Sequence, residues 1–197
     1  MVGNNPNFSK LDVIRCFLFI QKKISRSNLV KELSLGEGTV RTILNILKKN
    51  KLIDSTKEGH SCTKKGKEVL KKINESIGEL KKISLRIYPK TKKASLLIRK
   101  NKKKIENYIL RDIAVKNGAD GALILEYKNR LSLPEFKSIE DFKEIENIYS
   151  LKNNDIVVVS FASDYRIAQN GCLAIALELD NSLGKFFYTH RQKFLYK

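Results

Sequence analysis

The chain has 197 residues, of which 42% are hydrophobic and 30% charged, and its formal net charge is +18. That hydrophobic share belongs to folded rather than disordered chains, and the length suffices for two small domains. No stretch reaches the roughly 18 uncharged apolar residues of a membrane span, the N-terminus lacks the successive regions of a signal peptide, and Cys16, Cys62 and Cys172 have no partner at disulfide-framework or metal-ligand spacing, so a cytoplasmic protein without metal, cofactor or membrane partner is expected.

The charge is unevenly distributed. Residues 1–83 hold 18 Lys and Arg against 8 acids, residues 84–104 hold 9 against none, and residues 105–197 hold 12 against 13. A general bias toward lysine would act on both halves alike. The asymmetry instead implies that the first half meets a polyanion and the second does something else.

In chain order, Ser9 is placed to cap a helix over about residues 10–22, with Leu11, Ile14, Phe17 and Leu18 inward. Ser25 or Ser27 caps a short second helix with Leu29, Val30 and Leu33 inward. A turn at Ser34, Leu35 and Gly36 leads to a third helix ending near Lys49, where Val40, Ile43, Leu44 and Leu47 form an apolar stripe. "LIDSTKEGHSC" predicts two short strands around a turn at Glu58-Gly59. A fourth helix runs from Thr63 to about Ile83. Its Leu70, Ile73, Ile77 and Leu80 make a two-heptad seam, suited to a homodimer or to packing on a neighbouring domain.

Pro89 and the acid-free run set a domain boundary at residues 83/84. Beyond it "ASLLIR" predicts a strand. A helix follows with Ile105, Tyr108, Ile109 and Ile113 on one face, and then a hairpin of "GALILEY" and "RLSLP". A helix capped by Ser138, with Asp141 in a capping-box position, precedes the buried strand "DIVVVSFA". "SDYRIAQNGCLAIALEL" predicts a helix, and "GKFFYTHRQKFLY" a last strand. Strands alternating with helices give a small α/β domain, so the whole is a two-domain α+β or α/β chain.

The glycines of "LGEG" follow a helix, not a strand, and neither G-x-G-x-x-G nor G-x-x-x-x-G-K-[ST] is present, so a phosphate-cradling loop is excluded in favour of a helix-helix turn. The order helix, short helix, turn, helix and two-stranded ribbon, in "SRSNLVKELSLGEGTVRTILNILKKNKLI" and "STKEGHSCTKKG", resembles the winged helix-turn-helix of archaeal and bacterial transcription regulators. "LGEGTVRTIL" with the α/β tail is similar to an archaeal family whose C-terminal domain is of unknown function. The resemblance implies a sequence-specific regulator of transcription that binds double-stranded DNA through a recognition helix over about residues 37–49 and a wing over about residues 55–62.

The exposed side chains suit that task. Arg41 can make a bidentate contact with guanine, Asn45 can pair with adenine, and Thr39 and Thr42 can reach phosphate or a thymine methyl. Glu37 either accepts from cytosine or merely complements the helix dipole. Lys48, Lys49, Lys51, Lys57 and His60 suit the phosphate backbone. In the second half the one suggestive place is the end of the buried strand, where Ser160, Ser163, Asp164 and Arg166 could seat a small-molecule effector beside a helix N-terminus, or simply cap that helix. No nucleophile–base pair or metal cluster is legible there. The expectation is therefore a non-enzymatic effector or dimerisation domain, and the alternative is a nucleotide- or cofactor-modifying enzyme with a winged-helix appendage. The basic stretch 84–104 could meet RNA, but its only aromatic residue is Tyr88, which argues against stacking on single strands.

Overall fold

The computed structural model describes residues 7–86, 88–99, 106–134 and 142–185. The expected cap at Ser138 with Asp141, the inward Ile105 and the strand in "GKFFYTHRQKFLY" lie outside these, apart from the latter's first residues. The chain divides into two compact units. The first is Met1–Ile73 with Gly184–Lys197, and the second is Asn74–Leu183.

The first unit contains α1 (Lys10–Phe19), α2 (Arg26–Leu33), α3 (Glu37–Lys49), the hairpin β1 (Ile53–Thr56) and β2 (Gly59–Cys62), and most of α4 (Lys64–Ser76). Ser9 caps α1 in a reciprocal box. The Asp12 amide donates to Ser9 Oγ at 3.4 Å, and the Ser9 amide donates to Asp12 Oδ2 at 2.9 Å. Asp12 also accepts from Arg15 at 2.9 Å, and both side chains are fully buried.

Arg15 reaches the end of α2. Its guanidinium donates to the carbonyls of Leu33 at 3.2 Å and Glu32 at 3.4 Å. Ser34, in the left-handed region at φ 53°, ends the helix, with its amide on Lys31 O and the Leu35 amide on Val30 O. The four carbonyls that any helix leaves without internal partners are thus all satisfied, two by the turn and two by Arg15. The short turn that aims α3 is fixed from beneath.

α3 begins at Gly36 and buries Val40, Ile43, Leu44 and Leu47. It closes in the same way as α2. Lys51, at φ 58°, donates to Lys48 O, and Leu52 donates to Leu47 O. The hairpin pairs Thr56 with Gly59, so its tip is Lys57-Glu58, one residue earlier than the sequence suggests. Gly59 has φ 134°, and a Cβ there would stand 2.7 Å from the Ile24 carbonyl, so this edge requires glycine. Ile24 and His60 exchange backbone hydrogen bonds across the gap.

The expected helix to Ile83 stops at Ser76. Ile77 pairs instead with Ile98, the Gly78 amide donates to Leu97 O at 2.8 Å, and the Arg99 amide donates to Ser76 O at 2.8 Å. The apolar spacing of Leu70, Ile73, Ile77 and Leu80 is helical, but Gly78 is a poor helix residue and a free strand edge offers its backbone partners. The two-heptad seam therefore does not exist as one helix, and the two compact units divide at Ile73/Asn74.

The second unit is built on β3 (Lys81–Ile83), β4 (Lys92–Ile98), β5 (Gly121–Lys128), β6 (Arg130–Ser132) and β7 (Ile156–Ala162) in the order β3-β4-β7-β5-β6. Every pairing is antiparallel. The alternation of strands and helices suggested an α/β arrangement. The last strand instead inserts between β4 and β5, antiparallel to both. The fold is α+β.

β7 is buried along its whole length, as a central strand covered on both faces must be. On one face lie α5 (Asn107–Lys116) and α7 (Tyr165–Leu179). On the other, Leu97, Leu125, Val157 and Val159 pack with Phe142 and Ile145, the latter on the short α6 (Lys143–Glu146). The element α8 (Asn181–Lys185) follows α7.

α5 turns a different face inward than its sequence indicates: Leu110 and Ala114 are buried, while Tyr108 and Ile109 are exposed. Gly171 lets α7 approach β7 closely. A Cβ there would stand 2.3 Å from Ser160 Oγ.

Removing Arg15 leaves a buried carboxylate and open carbonyls. Arg15→Ala should lower unfolding stability by about 3–5 kcal/mol, measured by urea titration followed by far-ultraviolet circular dichroism. A loss under about 1 kcal/mol would show that the pair does not hold the α2–α3 turn.

Candidate nucleic-acid interface

The outer face of α3 is the complement of its buried stripe. Glu37, Arg41, Thr42, Asn45, Lys48 and Lys49 are exposed and Thr39 is half-buried. Positions 37, 41, 45 and 48 recur at helical spacing along one line, because the apolar residues between them turn inward. At the hairpin tip Lys57 is exposed, and beside it Glu58 pairs with Lys23.

Local hydrogen bonds already organise this face. Glu37 accepts from Arg41 at 3.2 Å and from Arg26 at 3.4 Å. Both pairs are exposed, so each contributes little to stability. They hold Arg41 alongside the first turn of α3. Thr42 Oγ1 donates to Gly38 O at 3.1 Å, which leaves its oxygen lone pairs and its methyl outward. Nothing lies within 4 Å of a Cβ built at Gly36 or Gly38, so the helix start faces open space.

His60 departs from expectation. It is 5% exposed, and its Nδ1 lies 2.6 Å from Ser55 Oγ across the hairpin. It braces the ribbon, and its ring is not available as a phosphate ligand. Lys57, not His60, is the hairpin's outward cation. Gly59 and His60 are both buried, and the His60 backbone pairs with Ile24.

The residues of the expected effector seat lie in different surroundings. Ser160 is fully buried and donates to the Gly121 carbonyl at 3.3 Å under α7. Asp164 is the N-cap of α7, accepting from the Ile167 amide at 2.8 Å. Ser163 is exposed and Arg166 half-buried. The rule placing ligands at carboxyl ends of strands applies to open parallel sheets, and this sheet is antiparallel.

The thiols are equally unpromising for nucleophilic chemistry. Burial pushes Cys16 and Cys172 up to about 12 and Cys62 up to about 11, so all three stay protonated at neutral pH. Among the described residues no group of three His, Cys, Asp or Glu could hold a metal ion. Nor is any helix among them long and apolar enough to cross a membrane.

Comparison with known proteins follows the same division. Residues 11–68 match the family model PH0730-like, N-terminal domain. Residues 89–179 match a domain of unknown function, DUF4443. The chain is similar to a solved structure, "Hypothetical protein PH0730 from Pyrococcus horikoshii OT3", at 26% identity and a TM-score of 0.78, covering 92% of this chain and 98% of that one. No curated protein matches. The resemblance to an archaeal family with an uncharacterised C-terminal domain thus has a concrete relative. The first match ends inside α4 and the second begins at Pro89.

Burial, then the nearby Lys48 and Arg26, hold His60 below its ordinary range. The unfolded chain takes up this proton at a pH where the fold does not, so stability is full above about pH 6.5 and declines as pH falls below it. The melting temperature should therefore drop between about pH 7.5 and about pH 5, and His60→Gln should flatten that part of the profile. An unchanged slope in His60→Gln would assign the effect elsewhere.

Proposed function

We propose that the first unit is a winged helix-turn-helix that binds double-stranded DNA as a sequence-specific transcriptional regulator. α3 enters the major groove, and the β1–β2 hairpin lies along the flanking backbone. The observation that supports this most directly is the exposed line Glu37, Arg41, Asn45 and Lys48 on a helix whose start faces open space.

The mechanism follows from the side chains. At the N-terminal end of α3, Arg41 exchanges its bond to Glu37 for guanine O6 and N7, a trade between two charge-assisted contacts. Glu37 then keeps Arg26 as its partner, which limits the desolvation of a lone carboxylate near DNA. Asn45, a turn further along, reads adenine or touches phosphate. Lys48, Lys49, Lys51 and Lys57 neutralise phosphates and supply affinity without base preference. The rigid α2–α3 turn fixes the angle at which α3 is presented. The second unit serves the first as an effector-sensing or dimerisation domain rather than as a catalyst, consistent with its protonated thiols.

Binding to duplex DNA should weaken steeply with salt. Neutralisation of about six phosphates gives a log–log slope of about −5. Fluorescence anisotropy across a salt series measures it, and a slope near zero would exclude a phosphate-dominated interface.

The two classes of contact should separate by mutation. On a site selected from random duplexes, Arg41→Ala should cost about 1–3 kcal/mol and relax base preference at one position. Lys49→Ala should weaken selected and random DNA alike. Equal losses on both DNAs for Arg41→Ala would remove it from base readout.

A further inference from the structure

The sequence argued against single-strand binding because residues 84–104 hold one aromatic side chain. The fold changes that count. The connection between β3 and β4, the β7–α7 turn and the α5–β5 turn converge at one end of the sheet. There Tyr88 meets Phe161, with ring centroids 4.4 Å apart and an interplanar angle of 16°. On the other face at the same end, Tyr165 has the ammonium groups of Lys82 at 5.4 Å and Lys92 at 5.7 Å over its ring.

Tyr88 is unusual in two respects. It is 53% exposed, so one ring face rests on Phe161 and the other is open to solvent. It is a bulky residue in the left-handed region, at φ 50°, a conformation that costs free energy and persists only where surrounding contacts impose it. Those contacts are present. The Tyr88 carbonyl accepts from the Thr91 amide at 3.0 Å, from Thr91 Oγ1 at 2.8 Å and from Lys93 Nζ at 2.7 Å.

Lys93 is only 4% exposed, and its ammonium also donates to the Thr91 carbonyl at 3.1 Å. A buried cation is costly. This one is engaged in holding a surface loop in a strained shape that presents an aromatic ring.

The surroundings are cationic. Arg86, Lys90, Lys92 and Lys82 are exposed around this end of the sheet. The acids nearby are Asp120 and Asp164, and the Asp164 carboxylate is engaged in capping α7.

We propose that this end of the second unit binds single-stranded nucleic acid, with an unpaired base stacked on the open face of Tyr88 and the phosphates on either side lying against Lys82, Lys90 and Lys92. An aromatic platform ringed by lysines is the chemistry such strands require, because every base has a π-face and every linkage a charge. A duplex cannot use Tyr88 in this way, since its bases are already stacked on one another.

The chain contains no tryptophan, which gives a direct test. Tyr88→Trp in the full chain puts a sole indole at the platform. Its emission should be quenched when a single strand of about 12 nucleotides saturates the protein, and not by the matching duplex. In anisotropy titrations Tyr88→Ala should raise the single-strand Kd by roughly 5- to 150-fold, the range for loss of one base–aromatic stack, whereas Tyr88→Phe should stay near wild type. Lys82→Ala with Lys92→Ala should flatten the salt dependence for the single strand. Duplex binding that persists in Tyr88→Ala would separate this site from α3. Indole emission unmoved at saturation, or equal single-strand affinity in Tyr88→Ala and wild type, would overturn the proposal, and so would absence of single-strand binding at low salt.

Discussion

An arginine with no access to solvent holds the end of the second helix. Arg15 comes from α1, is neutralised by Asp12 one turn earlier, and takes the two carbonyls of α2 that the Ser34 turn leaves open. Breaking the pair would strand a charge in an apolar core and free a helix terminus at the same time. The turn between α2 and α3 has only Ser34, Leu35 and Gly36, so its geometry decides where the outer face of α3 points. The exposed line from Glu37 to Lys48 can meet a surface as a unit only because that turn is anchored.

The second unit depends on a different constraint. Its final strand, β7, occupies the centre of the sheet and can be placed only after β4 and β5 exist on either side of it. Such non-local pairing requires both faces of β7 to be apolar, which explains the uninterrupted "IVVVSF" run. It also fixes the sheet end at which the loops gather. Phe161 belongs to β7 and Tyr88 to the β3–β4 connection, 73 positions apart in the chain, and they stack because the register pairs Lys93 with Phe161. One strand position therefore supports both the buried ammonium and the ring beneath Tyr88.

The protein combines two cationic surfaces with different chemistry. On α3 the cations are interleaved with small polar groups and one carboxylate, a mixture suited to base edges. At the sheet end they surround aromatic rings, a mixture suited to base faces. The near-neutral balance of residues 105–197 hides the second of these, because its cations and Tyr88 come from residues 82–92 and only Phe161 and Tyr165 come from beyond.

The sequence by itself determined the local elements whose signals are short-range. The Ser9 cap, the stripe of Val40, Ile43, Leu44 and Leu47, the hairpin around Asn129 and the helix after Asp164 all follow from neighbours within one or two turns. It also bounded the chemistry, through cysteines without partners and glycines without a preceding strand. Tertiary structure decided the rest wherever two local readings were nearly equal in energy. Ile77 is buried equally well on a helix or against Ile98, and the free edge of β4 chose the strand. His60 is buried because its backbone pairs with Ile24 and its ring meets Ser55. Ser160 could be a ligand or a packing residue until α7 closed over it. Which of these occurs depends on contacts with segments distant in sequence, and those contacts form only when the sheet and the helices come together.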